Sequence, residues 1–133
     1  MGLFTIFNVS SSAMAAQTLR LNATASNMAN AEAVASSPEQ AYKAREPVFA
    51  QTLERQGGVG VTTVGVTQSN APNPAIYQPG NPLADKNGYV YGSNVNPVEE
   101  MVNMLSASRA YQTNVQMMDT AKNLALRTLQ LGQ

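Results

Sequence analysis

Residues 96–132 read NPVEEMVNMLSASRAYQTNVQMMDTAKNLALRTLQLG, and this stretch decides the fold. Asn96 is a residue type that caps helix N-termini, and Pro97 stands where the first turn tolerates a missing N–H. Glu99 takes the capping-box position, and Glu99 and Glu100 both suit the positive end of a helix. No Pro or Gly follows until Gly132, which predicts one unbroken helix over 97–131. At 1.5 Å per residue that helix is about 52 Å long, against about 11–12 residues for a usual globular helix. Met101, Met104, Tyr111, Val115, Met118, Ala125 and Leu129 largely keep 3–4 spacing along it, interrupted by Ser108 and Lys122. Leu105, Met117, Ala121 and Leu124 widen the seam. Length with such a seam points to a coiled coil or a long bundle.

The opposite end offers a partner. Residues 3–31 contain neither Pro nor Gly, whereas 35–96 hold nearly all of both. Pro and Gly inside a helix cost about 3 and 1 kcal/mol relative to Ala, so this segregation predicts two terminal helices around a non-helical insert. Phe7, Met14, Leu21 and Met28 recur every seven residues. Ser11, Thr18 and Ala25 follow four residues behind, and small residues there allow close helix approach. The other faces carry Ala, Ser, Thr and Asn with few charges, unlike an open amphipathic helix. Such a helix suits cover on several sides. One more helix is all this chain can add, so other subunits are the expected source of the rest.

The insert reads as extended chain. Tyr42–Arg55 alternates partially and contains Pro47, which suits an edge strand or irregular chain. Gly57-Gly58 signals a turn before the β-prone valines 59, 61, 64 and 66, whose spacing requires a bulge at Thr62-Thr63. Pro72, Pro74, Pro79 and Pro82 stiffen the chain toward polyproline II. Asp85-Lys86-Asn87-Gly88 is a turn, with Tyr89-Val90-Tyr91 a short strand after it. The fold class is therefore α+β: 1–34 an N-terminal assembly helix, 35–96 a short β-hairpin and extended Pro-Gly-rich middle, and 97–133 a C-terminal assembly helix. The two helices pair as one coiled-coil-like domain.

Composition excludes many activities. Among 133 residues there is no Cys, His or Trp. Zinc sites built on those ligands, cysteine proteases and Ser-His-Asp hydrolases are ruled out. Eight basic residues balance eight acidic ones, so no positive field marks a nucleic-acid surface. Glycines 57, 58, 60 and 65 lack a following Gly-Lys-Ser/Thr, so there is no phosphate loop. No run of 18 apolar residues predicts a membrane span, and the N-terminus lacks the basic region of a secretory signal. Only 12% of positions are charged, about half the usual share, while 13 Asn and 10 Gln fill much of the gap.

No polar constellation reads as catalytic, and no metal or cofactor is expected. Glu99 and Glu100 are adjacent on a helix and do not converge. Arg20 and Arg109 fit packing or a carboxylate on a neighbouring helix. Asn27 and Asn30 stand three apart near the end of the first helix. There Asn30 suits a cap, and both suit hydrogen bonds at a subunit junction. The methionines of the last helix suit either core filling or an adaptable stripe that meets several non-identical neighbours.

A family resemblance joins these pieces. Leu3-Phe4, Ile6-Phe7, Arg20-Leu21-Asn22 and Ala25-Ser26-Asn27-Met28-Ala29-Asn30-Ala31 resemble the start of bacterial flagellar rod–hook axial proteins. So do Pro79-Gly80-Asn81-Pro82-Leu83-Ala84-Asp85 with Gly88-Tyr89-Val90, and Asn94-Val95-Asn96-Pro97-Val98-Glu99-Glu100-Met101-Val102. Ser106-Ala107-Ser108-Arg109, Tyr111-Gln112, Thr120-Ala121-Lys122 and Leu126-Arg127-Thr128-Leu129 complete the match. Ala31-Glu32-Ala33-Val34 replaces the Thr-Pro-Gly-Tyr of hook-type members, which favours the proximal-rod subgroup. The resemblance implies a structural subunit of the proximal rod of the flagellar basal body, a periplasm-spanning shaft that transmits torque. It implies export without a cleaved signal peptide. The implied neighbours are copies of itself, other rod proteins and the MS-ring or export-gate end. No small-molecule substrate or nucleic acid is implied. Free subunits of this kind order their ends on assembly. The implied assembly interface comprises Phe7, Met14, Leu21, Asn27, Met28, Asn30, Met101, Met104, Arg109, Tyr111, Val115, Met118 and Leu129. Another axial protein, or a secretion-system needle subunit or adaptor, is the alternative.

Overall fold

The computed structural model describes residues 2–53 and 58–132. In chain order the elements are α1 (Leu3–Ala29), β1 (Val34–Ala35), β2 (Arg45–Leu53), β3 (Val59–Gln68), β4 (Ala75–Tyr77), β5 (Tyr89–Gly92) and α2 (Pro97–Leu131). The α+β class and both helices match the sequence reading. Asn96 caps α2, its Oδ1 accepting from the N–H groups of Val98 at 3.1 Å and Glu99 at 3.4 Å. Gly132 is the residue at which α2 ends.

α1 lies between two partners. On one side α2 runs antiparallel to it. Asn27 near the end of α1 bonds Glu100 at the start of α2, while Phe7 shares a cleft with Ala125 and Leu129 at the other end. On another side lies the β2–β3 hairpin. It meets α1 at Asn27 through the Arg45 carbonyl, and the Val61 N–H donates to Ser12 Oγ at 3.1 Å. Apart from Asn27, the buried positions of α1 are accordingly small: Thr5, Ser10, Ala16, Ala23 and Thr24. This corrects the expectation that other subunits supply all cover beyond one helix. The chain's own hairpin covers a second face, and small side chains let its backbone come close.

Gly58 makes the closest approach. A Cβ there would run into Thr5 Cγ2 and come within 3.3 Å of Val9 Cγ2. Both are short β-branched side chains on a helix and have little room to rotate away. Gly58→Ala is therefore expected to push the hairpin off α1 and cost about 1–3 kcal/mol, read as a lower urea midpoint.

In the hairpin, Pro47 lies opposite Val66. A two-stranded ribbon has an open edge on each strand, so the missing N–H is tolerated. The bulge falls one residue later than the spacing indicated. Val48 pairs with Gly65 and Phe49 with Thr63, which leaves Val64 without a partner instead of Thr62-Thr63. The expected turn at Gly57-Gly58 falls partly outside the described residues, as do Glu54 and Arg55.

The second sheet has the order β1-β5-β4, antiparallel throughout. Its central residue Val90 is 0% exposed. Tyr77 and Tyr89 face each other across β4 and β5 with ring centroids 5.2 Å apart. β1 and β4 are strands where the sequence reading placed the end of helix 1–34 and polyproline chain. Both are short and take their register from β5, a long-range pairing that local pattern does not encode. The Asp85 turn is present: Oδ1 accepts from the N–H groups of Asn87 at 2.8 Å and Tyr89 at 2.9 Å, and Gly88 has φ +83°. The Tyr89 bond, first among several, holds the Asp85 carboxyl below the usual carboxylate range. A depressed folded-state value means the turn loses this support as pH falls through it.

Candidate assembly interface

Asn27 is the most connected side chain of the helical domain and is 2% exposed. Its Oδ1 accepts from the Arg45 N–H at 2.8 Å and from the Tyr42 hydroxyl at 3.0 Å. Its Nδ2 donates to the Arg45 carbonyl at 3.0 Å and to Glu100 Oε2 at 3.2 Å. A primary amide has two donors and two acceptor sites, and all four are used. Since Tyr42 gives its only hydroxyl proton to Asn27, Ser26 Oγ donates to Tyr42, 3.1 Å away. One amide thus ties α1, the start of β2 and the start of α2 together. Within the chain itself Asn27 already spends all four of these positions. Asn30 follows its capping reading: Nδ2 donates to the Ser26 carbonyl at 2.8 Å at the end of α1.

Two further amides organise the middle in the same way. Asn94 Oδ1 accepts from the Ala44 N–H at 2.6 Å, and its Nδ2 donates to the carbonyls of Ser69 and Ala71. Asn73 Nδ2 bridges the carbonyls of Tyr42 and Gly92. Loop backbone groups that no strand satisfies are met by side-chain amides. The richness in Asn finds its local reason here.

On α2 the seam keeps only part of the predicted apolar row. Ala107 and Ala121, two heptads apart, are its buried residues, with Met104, Asn114, Met118 and Ala125 half-buried around them. Met101, Arg109, Tyr111, Val115 and Leu129 are exposed. On α1, Phe7, Met14, Leu21 and Met28 are half-buried. The missed signal was the Ala107–Ala121 repeat, because alanines allow the axes to approach while larger residues turn outward. Arg20 does not meet a carboxylate. Its guanidinium donates to Asn103 Oδ1 at 3.2 Å.

What α2 leaves uncovered is large. Val98, Val102, Leu105, Met117, Leu124, Leu126 and Leu129 are exposed along it, as is Phe4 on α1. Phe4, Phe7, Ala125, Thr128 and Leu129 line an apolar cleft of about 270 Å³ at the far end of the pair. The chain exposes 9039 Å². A compact monomer of its mass exposes about 6,700 Å². The excess of about 2,300 Å² is what an elongated helix pair with an uncovered apolar side produces. Among the described residues no helix is long and apolar enough to cross a membrane.

The sequence has relatives along its whole length. The chain is 48% identical over 134 residues to the flagellar basal-body rod protein FlgC of Salmonella typhimurium, covering all of both chains. The chain belongs to the FlgC family of flagellar basal-body rod proteins. The FlgC protein of Yersinia enterocolitica is also 48% identical, over 136 residues, and that of Buchnera aphidicola subsp. Acyrthosiphon pisum 38%, each over the full length of both chains. The family described as the C-terminal region of the flagellar basal body rod FlgEFG proteins matches residues 86–131. That stretch holds β5 and α2, so the exposed apolar helix lies within the segment that this family matches.

Proposed function

We propose that this chain is a structural subunit of the proximal rod of the bacterial flagellar basal body. It polymerises with other rod proteins and with further copies of itself into the shaft that crosses the periplasm and transmits torque. The observation that carries the reading is the outward apolar side of α2, on a chain related over its whole length to FlgC rod proteins. α1 and α2 form the coiled-coil-like assembly unit, and Asn27 holds the hairpin at a fixed angle to it. Torque transmission needs such a joint, because a loose one would dissipate twist. The MS-ring or export-gate end of the basal body is the proposed neighbour at one end, and export proceeds without a cleaved signal.

A strain lacking this chain is expected to be non-motile and to regain rods when the chain is restored. Normal rods in the deletion strain would contradict the reading. Met118 is half-buried on the α1-facing side of α2, midway along it. Met118→Asp is expected to leave export intact and abolish incorporation into basal bodies, measured by immunoblot of secreted and assembled fractions. A buried ionised carboxylate without a partner costs several kcal/mol.

A further inference from the structure

A second, polar cleft lies where α1, β2 and α2 meet. It measures about 370 Å³ and is lined by Gln17, Arg20, Glu46, Phe49, Glu100 and Asn103 among others. Its chemistry is dominated by acceptors. Glu46 and Glu100 bring two carboxylates, and Gln17 Oε1 is buried without any hydrogen-bond partner. Arg20 is the cation on the wall, and its recorded bond goes to the Asn103 amide. A cleft with two carboxylates on its wall suits a multi-donor cation, and a guanidinium fork matches carboxylates in geometry and charge.

The same chain carries such a group in a telling place. Val98, Val102 and Leu105 are exposed at i, i+4 and i+7 of α2, and Arg109 follows at i+11 on the same face. Any subunit that covers this apolar row also buries Arg109, which then needs an acidic partner. Within one chain the two cannot meet easily: Arg109 lies nine residues beyond Glu100, about 13 Å along the helix.

We infer that the Glu46–Glu100 cleft receives the Arg109 guanidinium of a second copy of this chain. Cleft and guanidinium are different patches, and when two such patches meet head to tail with a rotation that closes no ring, the result is a helical array. The inference rests on the subunit reading above and names one contact within it.

Charge exchange tests it in cells whose only copy is the variant, with the amount in purified basal bodies as readout. Glu46→Arg and Arg109→Glu are both on exposed residues. Each single change is expected to lower incorporation by about tenfold or more, because like charges then face each other. The double variant E46R/R109E is expected to return to within about threefold of wild type, since the pair is restored with reversed sign. Wild-type levels in either single variant, or a double variant no better than the worse single one, would overturn the pairing. Absence of the wild-type chain from basal bodies would instead overturn the subunit reading.

Discussion

Asn27→Ala is expected to destabilise the joint between the helices and the hairpin by about 3 kcal/mol. The estimate follows from what alanine leaves behind. The Arg45 N–H and carbonyl, the Tyr42 hydroxyl and Glu100 Oε2 all lose a partner, and each unsatisfied buried group costs about 1–3 kcal/mol. Glu100 is only half-buried and recovers water, and networks are not additive, so the low end of the sum is appropriate. The Arg45 amide reports this directly, since it donates to Asn27 Oδ1. Its hydrogen exchange is expected to accelerate roughly 100-fold, each 1.4 kcal/mol being worth a factor of ten. Asn27→Asp keeps the shape but loses both donors and sets a carboxylate against Glu100. It is expected to be at least as damaging as alanine. Unchanged exchange at Arg45 in either variant would show that the amide does not hold the joint.

Ala107→Glu is the second large effect. Ala107 is 0% exposed where α2 meets α1, so no longer side chain fits without separating the helices. Glutamate adds an ionised group to that gap, and the polar groups that line α1 nearby are already committed: Arg20 to Asn103, Asn27 to Glu100. An uncompensated charge there costs several kcal/mol, enough to part the pair. Purified basal bodies should lack the variant. Ala107→Gly serves as control. It costs about 1 kcal/mol in helix propensity yet keeps the close approach, so assembly is expected to persist. A107E at wild-type levels in basal bodies would mean that the two helices do not depend on this contact.

The helices were legible because capping and the absence of Pro and Gly are local signals. Asn96, Pro97 and Gly132 bound α2 without reference to the rest of the molecule. The facing surfaces were less legible. The 3–4 pattern of Met101, Tyr111, Val115 and Leu129 marks a face that stays open, while Ala107 and Ala121 mark the one that closes. Hydrophobic size alone does not distinguish an internal seam from a surface awaiting a neighbour. Asn27 shows the same limit for polar groups: sequence placed it at a junction, but its partners Tyr42, Arg45 and Glu100 come from up to 73 residues away. β1 and β4 were hidden for a related reason, as each is defined by β5.

Electron microscopy of intact basal bodies, at a resolution that shows side chains in the rod, tests the central proposal most directly. Density for this chain should lie in the proximal rod. The Val98, Val102 and Leu105 face of α2 should be buried against neighbouring subunits, and Asn27 should still be bonded to Arg45 and Glu100 of its own chain. A rod in which that face of α2 points into solvent, or from which this chain is absent, would contradict it.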